Sequence, residues 1–250
     1  MRPIVLPLRR LTGLSSAVLL LTALCLSSCA GIISPEVRDR IQTIGVTSAI
    51  GDSFMLSASG LLVGSQQSIP VSDWKIDELV ISDIAEKLKP KYRTVPVVYD
   101  FKDFDTTGGG LFGDAPIQVN FGERVHAIEA RGVRPDAYIV ITKMREKGVT
   151  GLGLVRDASI LGNSFNLTML HGYYFMTVVD GHTFARIGAK QGSDPLFPME
   201  DISWPNSENP LTEAQKQRVQ QALKFFLDGS LEATLRDGVG LLDPTITEPR

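Results

Sequence analysis

Hydrophobic residues along the chain switch between the two-residue spacing of strands and the three-to-four-residue spacing of helices. Apolar, β-branched runs at residues 41–47, 94–99 and 137–142 predict strands, and residues 54–63 predict a second strand or a hairpin. Pro96 lacks a backbone N–H, so it predicts that the 94–99 strand lies at a sheet edge or that Pro96 stands near the start of the strand.

The strongest helical pattern begins at Ser72-Asp73 and ends at Lys89-Pro90. Asp73 is the predicted N-cap of this helix. Its apolar positions recur at helical spacing, at Ile76, Leu79, Val80, Ile84 and Leu88. A shorter helix is predicted over residues 120–131, with an inner face of Phe121, Val125 and Ile128.

The last helix is predicted to begin at Thr212, with Gln215 as the partner of a capping box. Its apolar stripe consists of Val219, Leu223, Phe226 and Leu227. Gly229 is expected to interrupt this helix, and residues 231–235 are expected to form a second short one. The tail at residues 243–250 is expected to fray.

Residues 167–179 and 182–189 predict an antiparallel hairpin, with Asp180-Gly181 as a two-residue type I′ turn. The Pro-, Asp-, Asn- and Ser-rich residues 191–210 predict a surface loop. The order of elements then predicts one α+β domain over residues 38–242, an α/β sandwich. In it, a mixed sheet with a C-terminal antiparallel hairpin is flanked by two or three helices.

The N-terminus carries Arg2, Arg9 and Arg10, an apolar core at residues 14–24, and then Leu26-Ser27-Ser28-Cys29. This arrangement resembles a bacterial lipoprotein signal peptide with its lipobox. The resemblance implies removal of residues 1–28 and lipidation of Cys29, with palmitate among the attached acyl chains. Residues 29–37 would then form a lipidated tether. The alternative is an ordinary secretory signal peptide in which Cys29 is incidental.

Ala30 follows the acceptor cysteine, where enteric lipoproteins that stay in the inner membrane carry Asp. By that resemblance the protein is expected at the outer membrane, lipid-anchored and facing the periplasm. The outline of its domain is also similar to the small periplasmic domains of the TolB N-terminal type and of envelope-assembly lipoproteins. That resemblance is architectural and does not by itself assign a function. The expected lipid anchor favours docking to another component of the cell envelope.

The charge and the cysteine content of the chain limit the partners and the metal ligands that it can have. The segment 1–28 holds three arginines and no acidic residue, so the mature 222 residues carry 22 basic and 28 acidic side chains, a net charge of −6. This balance and the lack of a basic run argue against a nucleic-acid partner. Cys25 and Cys29 are the only cysteines, so the mature body has no disulfide and no thiolate ligand for a metal.

The sharpest catalytic candidate is Gly51-Asp52-Ser53, after the first predicted strand. It resembles the opening block of the SGNH (GDSL) hydrolases, which implies Ser53 as nucleophile. That family places its acid and base in a late Asp-x-x-His; here Asp180-Gly181-His182 is one residue short, and the family's Gly-x-Asn-Asp block is missing. An ordinary turn is therefore favoured, and a lipid-anchored serine esterase using Ser53, Asp180 and His182 stays the alternative.

Other candidate chemistry is weaker. His126, His171 and His182 have no metal-ligand spacing, so no metal and no cofactor are expected. The glycines at 108–110 and 148–153 lack the Lys-Ser/Thr pair and the strand-to-helix position of a phosphate-binding loop. In the aromatic run 173–176, side chains alternate between the two faces of a predicted strand. The sequence therefore predicts a non-catalytic binding or assembly module, with Gly108 and residues 195–210 on the candidate partner surfaces.

Overall fold

Most of the strands form one mixed sheet, and helices cover both of its faces. A computed structural model describes residues 31–59, 64–104, 120–129, 132–146, 149–157, 167–193, 196–205 and 210–243. The strands are β1 Thr43–Ala49, β2 Ser53–Ser59, β3 Gly64–Pro70, β4 Arg93–Val95, β5 Ala137–Lys143, β6 Arg145–Glu146, β7 Val149–Thr150, β8 Leu152–Asp157, β9 Thr168–Asp180, β10 Arg186–Ser193 and β11 Phe197–Pro198. The helices are α1 Pro35–Arg38, α2 Ile76–Leu88, α3 Phe101–Phe104, α4 Phe121–Glu129 and α5 Glu213–Ala233.

The main sheet has nine strands in the order β3-β2-β8-β9-β5-β1-β4, with β10 and β11 also paired to β9. β1 runs parallel to β4 and β5, and β2 runs parallel to β8. The remaining pairs in this sheet are antiparallel, including the hairpin of β9 and β10. The predicted α+β class with a mixed sheet and a C-terminal hairpin is therefore confirmed, with five helices described rather than two or three.

At two positions in the sheet, one strand ends and a second strand continues the same pairing after a short interruption; we call each such position a track. β9 pairs with β5 through its second half and with β8 through its first half. The chain leaves this ladder after Met144 and returns to it at Gly151, where the Gly151 N–H donates to the Met144 carbonyl at 3.0 Å. On the neighbouring positions of the sheet, β1 runs parallel to β5 and β2 runs parallel to β8, and residues 50–52 separate β1 from β2. The two interruptions meet at one junction in the sheet.

Alternation along β5 divides the core into two layers. Ile139 and Ile141 join the larger apolar cluster, which includes residues of α2 and α5. Tyr138 and Val140 face the other way, into a smaller cluster with residues of α3 and α4. Because both faces are covered, every residue of β5 is buried, as expected of a central strand.

The predicted boundaries of α2 and α5 need two corrections. Asp73 lies in a 3-10 turn, Ser72–Trp74, and is not the N-cap. Lys75 takes that position with φ +52°, and the turn packs Trp74 on Phe54 with their ring centroids 5.3 Å apart. Gly229 does not interrupt α5, which runs on to Ala233 and then into a π-helical turn.

Other local predictions are confirmed. Thr212 and Gln215 form both hydrogen bonds of a capping box at the start of α5. The strand predicted over 94–99 is the shorter β4, which ends before Pro96 and lies at an edge of the sheet as expected. Within the described residues, no helix is long and apolar enough to cross a bilayer.

The hairpin turn is longer than the predicted two residues. β9 ends at Asp180 and β10 begins at Arg186, so His182 lies in the turn and does not start the return strand. The Asp180 carboxylate accepts hydrogen bonds from the His182 and Thr183 backbone N–H groups at 2.9 and 2.7 Å. These bonds stabilise the wider turn, in which Phe184 has φ +58°.

The segment predicted as a tether is packed onto the body from Gly31 onward. Ile33 is buried in the larger apolar cluster, and α1 follows directly. Residues Gly31–Arg250 group into one compact unit. The domain bounds 38–242 stay a prediction.

Candidate functional site

The junction of the two interrupted tracks gathers the polar residues of the Gly-Asp-Ser motif. Ser53 begins β2 and Lys143 ends β5, which places the Ser53 hydroxyl 2.7 Å from Lys143 Nζ. The Asp52 carboxylate forms an ion pair with the same ammonium group. Only 5% of the Lys143 side chain is exposed. Ser53 therefore has a lysine, and not a histidine, as its basic neighbour.

The charges at this junction determine what Ser53 can do. Burial lowers the pKa of Lys143 to about 8, while the adjacent Asp52 carboxylate favours the charged ammonium form. The ammonium donates a hydrogen bond to Ser53 Oγ, and the Ser53 hydroxyl donates to Asp52 Oδ1 at 3.0 Å. In this arrangement Lys143 acts as a donor and does not accept the proton of Ser53.

Asp77 organises the backbone at the same junction. Its Oδ1 accepts hydrogen bonds from Ser48 Oγ at 2.6 Å and from the backbone N–H groups of Ile50 and Gly51 at 2.9 and 3.1 Å. Burial raises the pKa of Asp77, and these hydrogen bonds oppose the rise. A Cβ at Gly51 would lie 2.9 Å from the backbone of Asp77 at the start of α2. This packing explains the glycine without any catalytic role.

The structure does not bring Asp180 and His182 to Ser53. His182 lies at the hairpin turn, where its Nε2 is 3.4 Å from an oxygen of Asp136, just before β5. Lys143 stands at the opposite end of that strand, about 20 Å away at the usual rise per strand residue. The serine–histidine–aspartate set of the esterase alternative is therefore not assembled.

The other two histidines are also apart. His126 is exposed on α4 and stacks on Phe184 with the ring centroids 4.6 Å apart. His171 is buried in β9, and burial lowers its pKa to about 4. Across the described ranges, no group of three or more His, Cys, Asp or Glu residues is placed to hold a metal ion.

A concave groove lies between α2 and α5. Its volume is about 330 Å³, and its walls are mainly apolar. The lining residues are Leu79, Val80, Asp83, Gln221, Lys224, Phe225, Leu227, Asp228 and Leu231. Phe225 stands at this groove with 73% of the residue exposed. An aromatic side chain that exposed, beside an apolar groove, is typical of a protein-binding surface.

One end of the groove carries a cluster of charges. Lys87 Nζ lies 3.6 Å from Asp83, 2.7 Å from Asp228 and 3.4 Å from Glu232. Burial raises the pKa of Asp83 to about 6, and the neighbouring Asp228 contributes to the rise while Lys87 opposes it. The hydrogen bond from Lys87 lowers the pKa of Asp228. The groove therefore combines an apolar floor with a hydrogen-bonded, mainly acidic rim.

The predicted partner surfaces are placed only in part. Cys29, Gly108 and the glycine-rich segment around it lie outside the described residues. In the 195–210 segment, Met199 and Ile202 are buried in the larger core and β11 pairs with β9. The described part of that segment is thus attached to the body, although Phe197 is 40% exposed. Sequence reasoning missed the groove, because Phe225 lies just outside the apolar stripe of α5.

Comparison with known proteins gives distant structural likenesses. No protein-family model and no curated protein matches the sequence. Protein XCC0632 of family DUF330 from Xanthomonas campestris is similar at 11% identity, over 78% of this chain and 84% of that chain, with a TM-score of 0.38.

Two further solved structures are similar at the same distance. A putative neuraminyllactose-binding hemagglutinin homolog from Helicobacter pylori has 9% identity and a TM-score of 0.37, over 78% of this chain and 86% of that one. Lipoprotein GNA1162 from Neisseria meningitidis has 12% identity and a TM-score of 0.32, over 74% and 96%. At these values the likenesses assign no function to the chain.

Proposed function

We propose that this protein is a non-catalytic binding module, anchored to the outer membrane by lipid on Cys29 and facing the periplasm. Its partner is another protein of the cell envelope. The observation that carries the binding role is the apolar groove between α2 and α5 with the exposed Phe225 beside it. The lipobox at Leu26-Ser27-Ser28-Cys29 supports the location.

The chemistry of the groove suits an apolar anchor from a partner helix or loop. Leu79, Leu227 and Leu231 supply apolar walls, and Phe225 offers a ring at the rim. The acidic rim around Lys87 favours a partner with basic residues flanking its apolar anchor. Interfaces of this kind depend on a few buried aromatic or aliphatic anchors surrounded by polar contacts.

In-cell photo-crosslinking tests the binding surface. A photo-reactive amino acid at position 225 is expected to capture one envelope protein, whereas the same residue at position 98 captures none. Val98 is a matched control because it is also apolar and 59% exposed. Phe225→Ser, but not Val98→Ser, is expected to abolish co-purification of the captured protein. Equal capture at both positions, or unchanged co-purification, would overturn the groove as the docking site.

The anchor is tested separately. Metabolic labelling with palmitate is expected to mark the parent protein and not Cys29→Ala. The parent should fractionate with the outer membrane, and the variant should be lost from that fraction. A parent that is unlabelled and soluble would show that the N-terminus is an ordinary secretory signal.

A second candidate function, a serine esterase, is favoured by the contact between Ser53 and Lys143. In that reaction the Ser53 oxygen would attack an ester carbonyl while neutral Lys143 accepts the hydroxyl proton. The ester C–O bond would then break, Lys143 would give the proton to the departing alcohol, and water would hydrolyse the acyl group from Ser53. A fluorophosphonate probe tests it: labelling should require both Ser53 and Lys143. Labelling should also increase with pH through about 8, where Lys143 loses its proton. A folded parent that stays unlabelled from pH 7 to 9.5 removes this candidate.

A further inference from the structure

Two residues close to the proposed lipid attachment site, Gly31 and Ile33, are hydrogen-bonded to the body of the protein. The Gly31 carbonyl accepts a hydrogen bond from the Ala189 N–H of β10 at 3.3 Å. The Ile33 N–H donates to the Val239 carbonyl at 3.0 Å, and only 2% of Ile33 is exposed. The chain therefore has little freedom from Gly31 onward.

Ile32 has the opposite environment. It lies between the two fastened residues, yet 64% of it is exposed. A Cβ at Gly240 would lie 2.9 Å from Ile32 Cγ2, so Ile32 stands directly over the turn that follows α5. Within the described residues only five large hydrophobic side chains are exposed, and Ile32 is the one nearest in sequence to Cys29.

The distance along the chain limits where the membrane can be. Cys29 and Gly31 are two residues apart, so even a fully extended chain separates their Cα atoms by only about 7 Å. If acyl chains on Cys29 enter the bilayer, Ile32 lies within about 11 Å of the attachment point. Apolar side chains of membrane-surface segments lie about 5–10 Å deep in the boundary between headgroups and acyl chains.

We infer that Ile32 inserts into the lipid surface beside the anchor. The edge formed by the middle of β10 and the Val239–Leu241 segment is then the side of the protein that rests on the membrane. This inference rests on the proposed lipidation of Cys29 and adds a fixed orientation to it. The body is held against the bilayer and does not swing on a tether.

Charges around this edge are balanced. Arg38 Nη1 donates to the Gly240 carbonyl at 3.4 Å, and its guanidinium lies 3.9 Å from Asp39 and 3.7 Å from Asp243. The Lys190 side chain lies over Gly238. Because acids accompany the bases, the contact depends on apolar insertion more than on attraction to anionic headgroups.

The orientation places the groove away from the lipid. Phe225 precedes Gly238 by 13 residues along α5 and the π-helical turn, which corresponds to about 20 Å at the helical rise. This separation leaves the exposed Phe225 ring at the rim of the groove apart from the proposed lipid contact.

Site-specific fluorescence in vesicles tests the contact with lipid. The full-length protein is lipidated in cells and reconstituted into vesicles of phosphatidylethanolamine and phosphatidylglycerol. Its mature form has no cysteine besides Cys29, so Ile32→Cys and Phe225→Cys each provide one position for an environment-sensitive dye. Quenching by a spin-labelled lipid is expected to be several-fold stronger at position 32 than at position 225. It should change little when phosphatidylglycerol is replaced by phosphatidylcholine.

The two possible failures are distinguishable. Mass spectrometry of each labelled protein reports whether Cys29 carries lipid. Equal and weak quenching at both positions of a lipidated protein would refute the membrane contact and leave the anchor intact. An unlipidated Cys29 would refute the proposed anchor and the membrane contact together.

Discussion

Replacing Asp83 with Asn should stabilise this protein at neutral pH, because Asp83 is ionised there at an energetic cost. Its side chain on α2 is 22% exposed and lies among Lys87, Asp228 and the apolar wall of the groove. Burial raises the pKa of Asp83 from 3.8 to about 6. The folded state therefore holds this proton more tightly than the unfolded state does.

The sign and size follow from proton linkage. Between pH 4 and 6 the folded protein binds more protons at Asp83 than the unfolded chain, so the stability of the parent falls as the pH rises through that window. The ceiling is about 3 kcal/mol, since one pKa unit corresponds to about 1.4 kcal/mol. Partial exposure reduces the expected gain of Asp83→Asn at pH 7.5 to about 1–2 kcal/mol.

Urea unfolding of a soluble form beginning at Ala30 measures this effect at pH 4 and pH 7.5. The free energies of unfolding of parent and Asp83→Asn should differ little at pH 4 and diverge at pH 7.5, with unchanged m-values. Asp228→Asn is the matched control. The pKa of Asp228 is lowered by its hydrogen bond from Lys87, so this variant should lose stability at pH 7.5. A destabilised Asp83→Asn at pH 7.5 would show that Asp83 acts mainly as a partner of Lys87 and refute the reasoning.

Three further substitutions and one control test local packing and hydrogen bonding, each by thermal and urea unfolding. Gly172→Ala places a methyl group against the ring of Phe226 and should lower the free energy of unfolding by about 1–3 kcal/mol. The control is Gly132→Ala, whose methyl group would meet no atom within 4 Å. It should change the free energy of unfolding by less than about 0.5 kcal/mol. Tyr174→Phe removes the buried hydroxyl that lies 3.0 Å from two hydroxyls of the last helix and its π-helical turn, so a loss of about 1–3 kcal/mol is expected; an unchanged midpoint would contradict it. Thr212→Ala breaks the capping box of α5 and should lower the free energy of unfolding by about 1 kcal/mol. An unchanged free energy of unfolding would contradict this expectation.

Local patterns were sufficient to predict most elements. Apolar, β-branched runs located β1 and β5, and the capping box located the start of α5. These features depend on residues only a few positions apart. The predicted start of α2 was wrong because Lys75 adopts a positive φ that no local residue preference indicates.

The arrangement at the junction could not be predicted in the same way. Ser53 meets Lys143 because the chain leaves the ladder after Met144 and returns at Gly151, from where β8 continues the pairing with β9. Nothing in either short segment encodes that continuity. The groove is equally non-local: Leu79 and Phe225 are far apart in sequence, and their proximity depends on how α2 and α5 pack on the sheet.

The divided tracks of the sheet have a consequence for how this chain can vary in length. Each half of β9 is aligned with its neighbour by its own set of pairs, Ala137 to Lys143 on one side and Leu152 to Arg156 on the other. An insertion between residues 145 and 150 therefore shifts neither alignment, whereas a single residue added inside β5 would exchange its side chains between the two core layers. This segment is the natural place to graft a tag or a foreign epitope, and a place where related chains can differ in length without changing their core.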